Sequence, residues 1–517
     1  MQQQQDQSGL KSIAEGGAMV FGGIISSTFL VFVLTALIAR HVNQEGFGFF
    51  TLGLVIVKNL ALLSGLGFSQ GLPRYISYQL GKKEYRKAWS SIASSFVITF
   101  ILSPIFAFLL YLNADLISQA LDKPGLAGTI KIMAFTIPFM ALIELLVSYL
   151  RAVREMKGRV YFQYVLRPFT GIILVLAVIL CRFSYTWVLW AYTISFFITL
   201  IVLFFYAKRK LHESFPIAKY SAVTREIVLF SLPLLGAVIL SQILMSTDTL
   251  LLGYFESAQS VGLYGSASRI AQLIPIISTS AGFIYLPVVS QLFSQNKIEE
   301  ITTIYAMITK WTFIITLPLF LLIFFAPDLV LHLSFGTNYT AGSLPLRILA
   351  IGFFLHVLFG LNGMTCISLG KGAIFFSCQF ITLVVNLILN FLLIPKYGTV
   401  GASIASCISL ALTNALITVS VYRYSTIHPF SRGYLRIIFF AIAICPIISL
   451  LPIRHYLNSS IFHSAILILF FIIISLVGVL VTKNLSEEDA SLIGYIEERI
   501  AKNTRLTDRF VRPFIRH

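Results

Sequence analysis

Four charged side chains inside long apolar runs are the residues of this sequence whose chemistry most needs an explanation. Lys58 and Arg269 are cations within such runs, and Asp248 and Glu144 are acids within others. A charge at the centre of a membrane span costs roughly 2.5 to 3.5 kcal/mol on insertion scales, so it is kept where it has a role. An arginine or lysine there can hold an anionic group such as a phosphate, and a carboxylate can take up a proton or a cation.

Each of these four residues also has a purely structural interpretation. The stem of Lys58 can lie along its helix while the amine pairs with a carboxylate or a backbone carbonyl, and Arg269 can extend to the outer membrane surface. Asp248 and Arg269 lie on consecutive predicted spans joined by a short turn, so they could pair with each other. Glu144 could be a charge relay or the partner of Lys131 or Lys58.

Arg167 and Arg347 are further candidates for binding an anion, although both lie near the ends of predicted spans, where cations commonly anchor a helix at the interface. His356 can titrate near neutral pH, but a hydrogen bond to a neighbouring helix is the expected role for a single helical histidine. Three asparagines are expected to join helices by hydrogen bonds: Asn386, Asn390 and Asn414.

Composition excludes a soluble protein. Hydrophobic residues make up 57% of the chain, charged residues 11%, and the mean hydropathy is +0.88, against about 25% charged residues in an ordinary soluble domain. The net charge of +17 comes from basic residues that lie between apolar runs and not on one face of a soluble domain, which argues against a nucleic-acid partner. The five cysteines show no metal-binding spacing, and we find no nucleotide-binding or hydrolase motif. We therefore predict no catalytic residue, metal or cofactor.

The apolar runs have the length of membrane-spanning helices and lack the alternation of barrel strands. They predict an all-α polytopic membrane protein with about 14 transmembrane helices. The predicted spans are 17–39, 47–70, 91–112, 128–150, 163–182, 186–206, 227–253, 261–287, 308–326, 345–368, 374–395, 400–422, 437–453 and 461–482.

The distribution of lysine and arginine predicts the orientation of these spans. Twenty of the 38 lie at the amino terminus and in every second loop, whereas eight lie in the opposite loops and adjoining span ends. Because cytoplasmic loops carry the excess of lysine and arginine, both termini are predicted to be cytoplasmic.

The chain contains an internal repeat. Residues 11–73 align without a gap to residues 225–287 at an offset of 214, with 12 of the 63 positions identical. Each copy opens a set of six spans on the cytoplasmic side, which predicts two parallel, pseudo-symmetric six-helix lobes. The predicted units are an N-terminal lobe (1–206), a cytoplasmic linker (207–226), a C-terminal lobe (227–422), two appended helices (423–482) and a cytoplasmic tail with a short helix (483–517).

Glycine and proline occur at corresponding cytoplasmic span ends of the two copies. Gly67, Gly71 and Pro73 end the second span, and Gly282 and Pro287 end the eighth. Such breaks predict a gate or hinge in each lobe. Simple helix termination is the alternative.

Several segments resemble the polysaccharide-exporter branch of the multidrug/oligosaccharidyl-lipid/polysaccharide (MOP) superfamily. Their order and spacing over about residues 10–420 carry the resemblance more than any single one does. They are Leu62–Arg74, Asp248–Tyr254 with Val261–Tyr264, Phe335–Tyr339 with Leu346–Leu349, and Asn390–Gly398 followed by Gly401-Ala402.

The resemblance implies a monomeric flippase in a prokaryotic plasma membrane. Its cargo would be a polyprenyl-diphosphate-linked oligosaccharide, moved from the cytoplasmic to the outer leaflet by alternating access of the two lobes. Membrane lipids and glycan assembly proteins are then the expected partners. For such a cargo, Lys58, Arg269, Arg167 and Arg347 become candidates for contacting the diphosphate, and Asp248 and Glu144 candidates for ion coupling.

Two other functions are compatible with parts of the sequence. A cation-coupled multidrug or metabolite exporter of the same superfamily would have a compact acidic site in place of a basic one. A membrane-embedded glycan-transferring enzyme would need acids at a membrane surface. The two intramembrane acids lie in separate spans and the outer loops are short, which disfavours the enzyme.

Overall fold

A computed structural model describes residues 2–153, 155–214, 224–450 and 461–482, and within these residues the chain is a bundle of helices. The N-terminal lobe contains ten α-helices and one π-helical segment, Arg159–Leu166. The α-helices are α1 (Gln2–His41), α2 (Gln44–Ser64), α3 (Phe68–Gly81), α4 (Tyr85–Leu112), α5 (Ala114–Ala120), α6 (Leu126–Ala134), α7 (Thr136–Ala152), α8 (Met156–Gly158), α9 (Arg167–Leu180) and α10 (Tyr185–Ser214).

The C-terminal lobe follows the same plan, and two additional helices, α19 and α20, come after it. A short 3₁₀ helix, Thr337–Gly342, lies between α15 and α16. The α-helices are α11 (Thr224–Phe255), α12 (Ala258–Ala271), α13 (Ile276–Ser294), α14 (Ile298–Phe325), α15 (Pro327–Phe335), α16 (Ser343–Leu358), α17 (Asn362–Ser368), α18 (Gly372–Ser425), α19 (Arg432–Ser449) and α20 (Ile461–Val481).

The structure confirms an all-α polytopic membrane fold, but its count of spans differs from 14. Among the described residues, 11 helical segments are long and apolar enough to cross a membrane, or 12 if the pair α6–α7, bent by 42°, is one span. The difference lies in α18, which covers two predicted spans, and in α20, whose apolar part Ile466–Val479 is shorter than the others.

Helix α18 turns back on itself at Gly398. This residue has φ 54° and ψ −129°, a conformation that glycine adopts without the steric cost of a side chain. Hydrogen bonds join the two arms: Thr413 Oγ1 donates to Thr382 Oγ1 at 2.9 Å across 31 residues. The turn therefore places the residues before Gly398 beside those after it.

Four of the predicted spans are broken within the bundle, two in each lobe. The breaks lie at 65–67 between α2 and α3, at Phe135 between α6 and α7, at 272–275 between α12 and α13, and at 359–361 between α16 and α17. Broken helices that meet near the centre of a membrane protein commonly line a binding site.

The offset of 214 is visible in the packing of the two lobes. A Cβ atom on Gly48 of α2 would collide with the backbone of Ala258 in α12, and a Cβ atom on Gly262 would collide with the backbone of Gln44. Positions 44 and 258, like 48 and 262, differ by 214, so this crossing is reciprocal. The lobes are thus related by pseudo-two-fold symmetry, and glycine permits their closest approach.

The helix caps next to this crossing also repeat. The side chain of Asn43 accepts a hydrogen bond from the Gly46 amide at 2.7 Å, and that of Ser257 accepts from the Ser260 amide at 3.2 Å. Both caps satisfy amide groups in the first turn of a helix. A second reciprocal pair of contacts joins α1 to α13 and α11 to α3.

The ends of the bundle are named here by their charge. The cation-rich end carries the α3–α4, α13–α14 and α17–α18 loops with Lys82, Lys83, Lys297 and Lys371. The opposite, cation-poor end carries the α1–α2 and α11–α12 turns. Helix α10 extends to Ser214 and α11 starts at Thr224, so the predicted linker is helical at 207–214 and 224–226, whereas 215–223 and the predicted tail lie outside the described residues.

Candidate functional site

Three cations from different helices approach one another between the lobes. Lys58 lies in α2, Arg167 begins α9, and Arg269 lies in the last turn of α12. Lys58 experiences the charge of both arginines, and Arg269 that of Arg167. We call these three residues the cationic cluster. It combines two side chains of the N-terminal lobe with one of the C-terminal lobe.

The cationic cluster has no acidic partner within hydrogen-bonding distance in the described part of the chain. Neither Lys58 nor Arg269 forms an ion pair there, and the buried Nε of Arg167 has no hydrogen-bond acceptor. The Arg167 guanidinium instead lies over the Phe196 ring, 5.1 Å from its centroid. Because three half-buried cations repel one another, an anionic ligand would stabilise this arrangement strongly.

A cavity of about 340 Å³ opens beside the cluster, and we call it the central cavity. Lys58, Glu144, Gln163 and Arg167 line it from the N-terminal lobe, and Gln242 of α11 lines it from the other lobe. The volume is at the lower end of the roughly 300 to 1,000 Å³ typical of small-molecule sites. Its lining combines cations, one acid, amides and apolar side chains, which suits a ligand with both charged and hydroxyl-bearing parts.

The π-helical segment positions two of these lining residues. Pro168 has no backbone N–H, so a regular helical hydrogen bond cannot form at this point. Gln163 lies within the wider π-helical segment and Arg167 directly follows it, and both side chains line the central cavity. Gln163 Nε2 donates to Glu144 Oε2 at 3.0 Å, which orients the only acid of the cavity lining. Such turns are frequent at functional sites.

Of the two alternatives for Glu144, a charge relay or a pair with Lys131 or Lys58, the lysine pair is not observed. Its bond is to the neutral Gln163, and Lys131 pairs instead with Asp115 at 2.7 Å on the surface of the same lobe. Glu144 and Lys58 do line the same cavity, but they form no ion pair there.

Asp248 lies in a separate polar site of the C-terminal lobe. Tyr264 Oη donates to its Oδ2 at 2.7 Å, Asn390 and Asn386 donate to its Oδ1 at 2.7 and 3.3 Å, and Ser406 also donates to Oδ2. The carboxylate is 8% exposed and borders a second cavity of about 70 Å³. Neutral donors thus hold the buried charge, and the Gly398 turn brings Asn390 and Ser406 to it from the two arms of α18.

The possible pair of Asp248 with Arg269 does not form. Tyr264 of α12 faces Asp248, and Arg269 follows it by five residues, about 140° further around a helix of 3.6 residues per turn. Arg269 therefore points away from the Asp248 site and towards the cationic cluster. The short turn brings the two helices together, but the angular position of each residue around its helix decides which side chains meet.

Arg347 lies apart from both cavities. It is in the second turn of α16, half-buried, and its Nε is buried without an acceptor among the described residues. His356 Nδ1 lies 3.0 Å from Asn414 Oδ1, which confirms the expected hydrogen bond between helices. The asparagines 386 and 390 do join helices, and in addition they bind Asp248.

The predicted gate residues fall at different places relative to the breaks. Gly67 has φ 76° at the break before α3, and Gly71 packs against Ser231 of the other lobe with no room for a Cβ atom. Pro73 lies within α3. Gly282 and Pro287 lie within the continuous helix α13, because the break of that span is at 272–275, before α13 begins. The two lobes therefore break their equivalent spans at different depths.

Gln163, Gln242, Tyr264 and Ser406 are site residues that the sequence did not reveal. Neutral amides and hydroxyls are frequent in membrane helices and commonly bond to their own helix or a neighbour. Signals existed for two of them: Tyr264 ends the Val261–Tyr264 segment that accompanies Asp248–Tyr254 in the family resemblance, and the Gly401-Ala402 motif after Gly398 indicates a return of the chain past Asn390 towards Ser406.

Two six-helix lobes with pseudo-two-fold symmetry, broken spans and a charged central cavity define an α-helical membrane transporter. Residues 13–293 match the family model described as polysaccharide biosynthesis protein, and residues 233–392 match that described as MatE. The first match covers more than half of the chain, so the protein belongs to the polysaccharide biosynthesis protein family. This confirms the resemblance to the polysaccharide-exporter branch of the MOP superfamily.

Individual relatives agree with this family. The chain is 28% identical over 169 residues to "Probable low-salt glycan biosynthesis flippase Agl15" of Haloferax volcanii, covering 33% of this chain and 36% of that protein's length. It is 25% identical over 416 residues to "Putative O-antigen transporter" of Shigella flexneri, covering 78% of this chain and 97% of that protein.

A solved structure shares the fold. "Lipid II flippase MurJ, inward closed conformation" superposes with a TM-score of 0.69 at 16% identity, covering 94% of this chain and all of that one. At this identity the likeness establishes the architecture alone.

Proposed function

We propose that the protein is a flippase for a polyprenyl-diphosphate-linked oligosaccharide or polysaccharide repeat unit. The cargo would move from the cytoplasmic to the outer leaflet of a prokaryotic plasma membrane, with both protein termini cytoplasmic. The unpaired cationic cluster beside the central cavity is the observation that carries this proposal. The family assignment and the names of the two relatives support it.

The chemistry of the cargo fits the arrangement of the site. The polyprenyl tail can remain in lipid, whereas the diphosphate and the sugars need a polar path across the membrane. Lys58, Arg167 and Arg269 supply positive charge from both lobes, and Arg167 and Arg269 can each grip a phosphate through two parallel hydrogen bonds. Glu144, Gln163 and Gln242 supply groups that can bond to sugar hydroxyls. An anion shared by the two lobes would be released when they separate, as alternating access requires.

Removal of single cations tests this proposal. We expect Lys58→Ala and Arg269→Ala to lower the rate of flipping of a lipid-linked oligosaccharide in proteoliposomes by about ten- to a hundredfold. This corresponds to the roughly 1.5 to 3 kcal/mol of a hydrogen bond to a charged group. The matched control is Lys131→Ala, which removes a surface lysine paired within one lobe. Flipping at the control's rate in both cluster variants would contradict the assignment of the site.

A cation-coupled exporter remains a second candidate because of Asp248. The MatE match at 233–392 includes this residue, and its carboxylate is surrounded by oxygen and amide groups that can accommodate a proton or a small cation. We propose that Asp248 couples transport to an ion gradient in either case. The two candidates differ in cargo: an exporter would move a soluble cationic compound and would be little affected by loss of Lys58.

A further inference from the structure

Arg40 links the two lobes at the cation-poor end of the bundle. It lies in the last turn of α1, and its Nε donates to Ser334 O at 3.0 Å. Its Nη2 donates to His332 O at 3.3 Å and also to Leu333 O. These three carbonyls belong to the last turn of α15, where helical carbonyl groups have few partners within the helix, and that of His332 also accepts from the Gly336 amide at 3.0 Å. The guanidinium therefore caps the C-terminus of a helix in the opposite lobe.

Lys123 makes the same kind of contact to a different helix. It lies between α5 and α6, and its Nζ donates to Leu121 O at 2.9 Å and to Gly253 O at 2.5 Å. Gly253 is in the last turn of α11, in the C-terminal lobe. Lys123 is only 7% exposed, and this burial lowers the pKa of its amine. The carbonyls compensate for the loss of water around the charge, with a contribution from the helix dipole.

Uncharged donors complete the contact between the lobes at this end. Tyr339 Oη, on the C-terminal lobe, donates to Ala39 O near the C-terminus of α1 at 3.1 Å. Gln44 Nε2 donates to Asn338 O, and Gln259 Nε2 donates to Gln44 Oε1 at 2.5 Å. Among the described residues, no carboxylate accepts a hydrogen bond in this set.

The position of the two cations in the membrane supports a specific role. Arginine and lysine are disfavoured in loops on the outer side, and the cation-poor end holds few of them. The positive-inside rule therefore does not explain why Arg40 and Lys123 occur at this end. Both cations bind the terminal carbonyls of a helix in the other lobe, and this shared contact does explain their presence.

We propose that Arg40 and Lys123 form a latch that holds the cation-poor end closed over the central cavity. The latch consists of charge-assisted hydrogen bonds to backbone carbonyls, and the nearby carboxylates Asp122 and Glu256 add to the field that stabilises the Lys123 ammonium. Separation of the lobes breaks both contacts together because each joins the N-terminal lobe to a different C-terminal-lobe helix. The latch thus contributes to the balance between the two access states.

The cation-rich end is closed by different contacts. Tyr75 Oη donates to Glu226 Oε2 at 2.8 Å, and the Arg74 guanidinium lies 6.0 Å from the centroid of the Phe230 ring. A variant that weakens the latch should therefore change one end of the protein and leave the other unaffected.

Distance measurements between spin labels test the latch without any cargo. The full chain in lipid nanodiscs carries labels at Cys181 and at Leu344→Cys, both exposed and on opposite lobes at the cation-poor end. A second label pair, Lys82→Cys with Lys297→Cys, reports on the cation-rich end in a background where Cys181 is serine. The remaining native cysteines are replaced by serine in both cases.

We expect Arg40→Ala and Lys123→Met each to add a longer-distance population at the cation-poor end. The ratio of open to closed states should rise about tenfold in each, equivalent to about 1.4 kcal/mol. Lys131→Met is the matched control, since this lysine at the same end pairs within its own lobe, and its distances should equal those of the wild type. The label pair at the cation-rich end should not broaden.

Two results would overturn the proposal. One is a wild-type distance distribution in both latch variants when Gly48→Leu, which forces the lobes apart sterically, does produce the longer distances. The other is equal broadening at both ends, because it would assign Arg40 and Lys123 to the folding of the whole chain and not to one gate.

Discussion

The Asp248 carboxylate is held by neutral hydrogen-bond donors, so its negative charge remains available to bind a proton or a cation. Tyr264, Asn386, Asn390 and Ser406 all donate to it, and no cationic side chain bonds to it among the described residues. A buried carboxylate without a cationic partner pays a large desolvation cost. A proton or a small cation bound to the carboxylate would remove that cost. Because donors from α12 and α18 meet at this carboxylate, binding there would also change the packing of α12 against α18.

Asp248→Asn removes the charge with little change in shape and tests this linkage. We expect transport in proteoliposomes to continue at a reduced rate and to lose its response to an imposed proton or sodium gradient. The amide cannot bind a cation as a carboxylate does, and it does not titrate. Initial rates with and without the gradient provide the measurement. Glu144→Gln is the comparison variant, and loss of the gradient response there but not in Asp248→Asn would place coupling in the central cavity instead.

At the scale of single residues, the sequence located the charges but not their partners. The cost of a charge in a span identified Lys58, Asp248, Glu144 and Arg269 without any structural information. Their partners depend on which helix faces meet. Tyr264 and Arg269 are about 140° apart around α12, so Tyr264 faces Asp248 whereas Arg269 faces the cationic cluster. Neutral partners such as Gln163 carried no distinguishing signal, because amides occur throughout membrane helices.

Among the helices, the break between α16 and α17 is held by tyrosines from two other helices. Tyr305 of α14 donates to Phe359 O and Tyr434 of α19 donates to Leu358 O, both at 2.7 Å. Both side chains are almost completely buried, and these carbonyls have lost their regular helical partners. Helix α19, outside the duplicated lobes, thus stabilises a break inside the C-terminal lobe.

Tyr434→Phe removes one of these two hydrogen bonds and keeps the ring. We expect the variant to be less stable by about 0.5 to 1.5 kcal/mol, the usual net value of such a bond, with a lower midpoint of thermal unfolding in detergent. Tyr254→Phe is the matched control because its ring is 60% exposed. Equal midpoints for Tyr434→Phe and the control would mean that α19 contributes nothing to the break through this hydroxyl.

The lengths of the apolar runs and the positions of glycine predicted where the helices lie better than they predicted where the helices are interrupted. The turn at Gly398 follows from a glycine between two apolar runs, and the structure confirms a reversal there. The break at 272–275 and the π-helical segment before Arg167 were not predicted, since they depend on how carbonyl groups find partners in neighbouring helices. Gly282 and Pro287 show the opposite case: both residue types can interrupt a helix, yet α13 continues through both of them.

The whole molecule combines a repeated scaffold with unrepeated chemistry. At the offset of 214, Lys58 corresponds to Gln272, Arg269 to Val55 and Asp248 to Leu34. The caps and the glycine crossing are shared by both copies, whereas the central cavity is lined mainly by the N-terminal lobe and the Asp248 site lies in the C-terminal lobe. This division suits a transporter whose lobes move alike, with cargo mainly at one and the coupling ion at the other.

Gly48 and Gly262 allow a matched test of that symmetry. In either Gly48→Leu or Gly262→Leu the new side chain meets the backbone of the other lobe, which cannot move aside as a side chain can. Overpacking of this kind costs about 1 to 3 kcal/mol, and separation of the lobes at the cation-poor end would relieve it. We expect both variants to favour the open state to a similar degree and to slow flipping, measured by the Cys181 and Leu344→Cys label pair and by transport in proteoliposomes.

The controls for this test are also related by the offset of 214. A side chain at Gly22 or Gly236 would project into open space, so Gly22→Leu and Gly236→Leu should leave both the distances and the flipping rate unchanged. A strong effect of Gly48→Leu with none from Gly262→Leu would contradict a reciprocal crossing. It would mean that one lobe carries the closing contact alone, and the duplicated scaffold would then not explain how the cation-poor end closes.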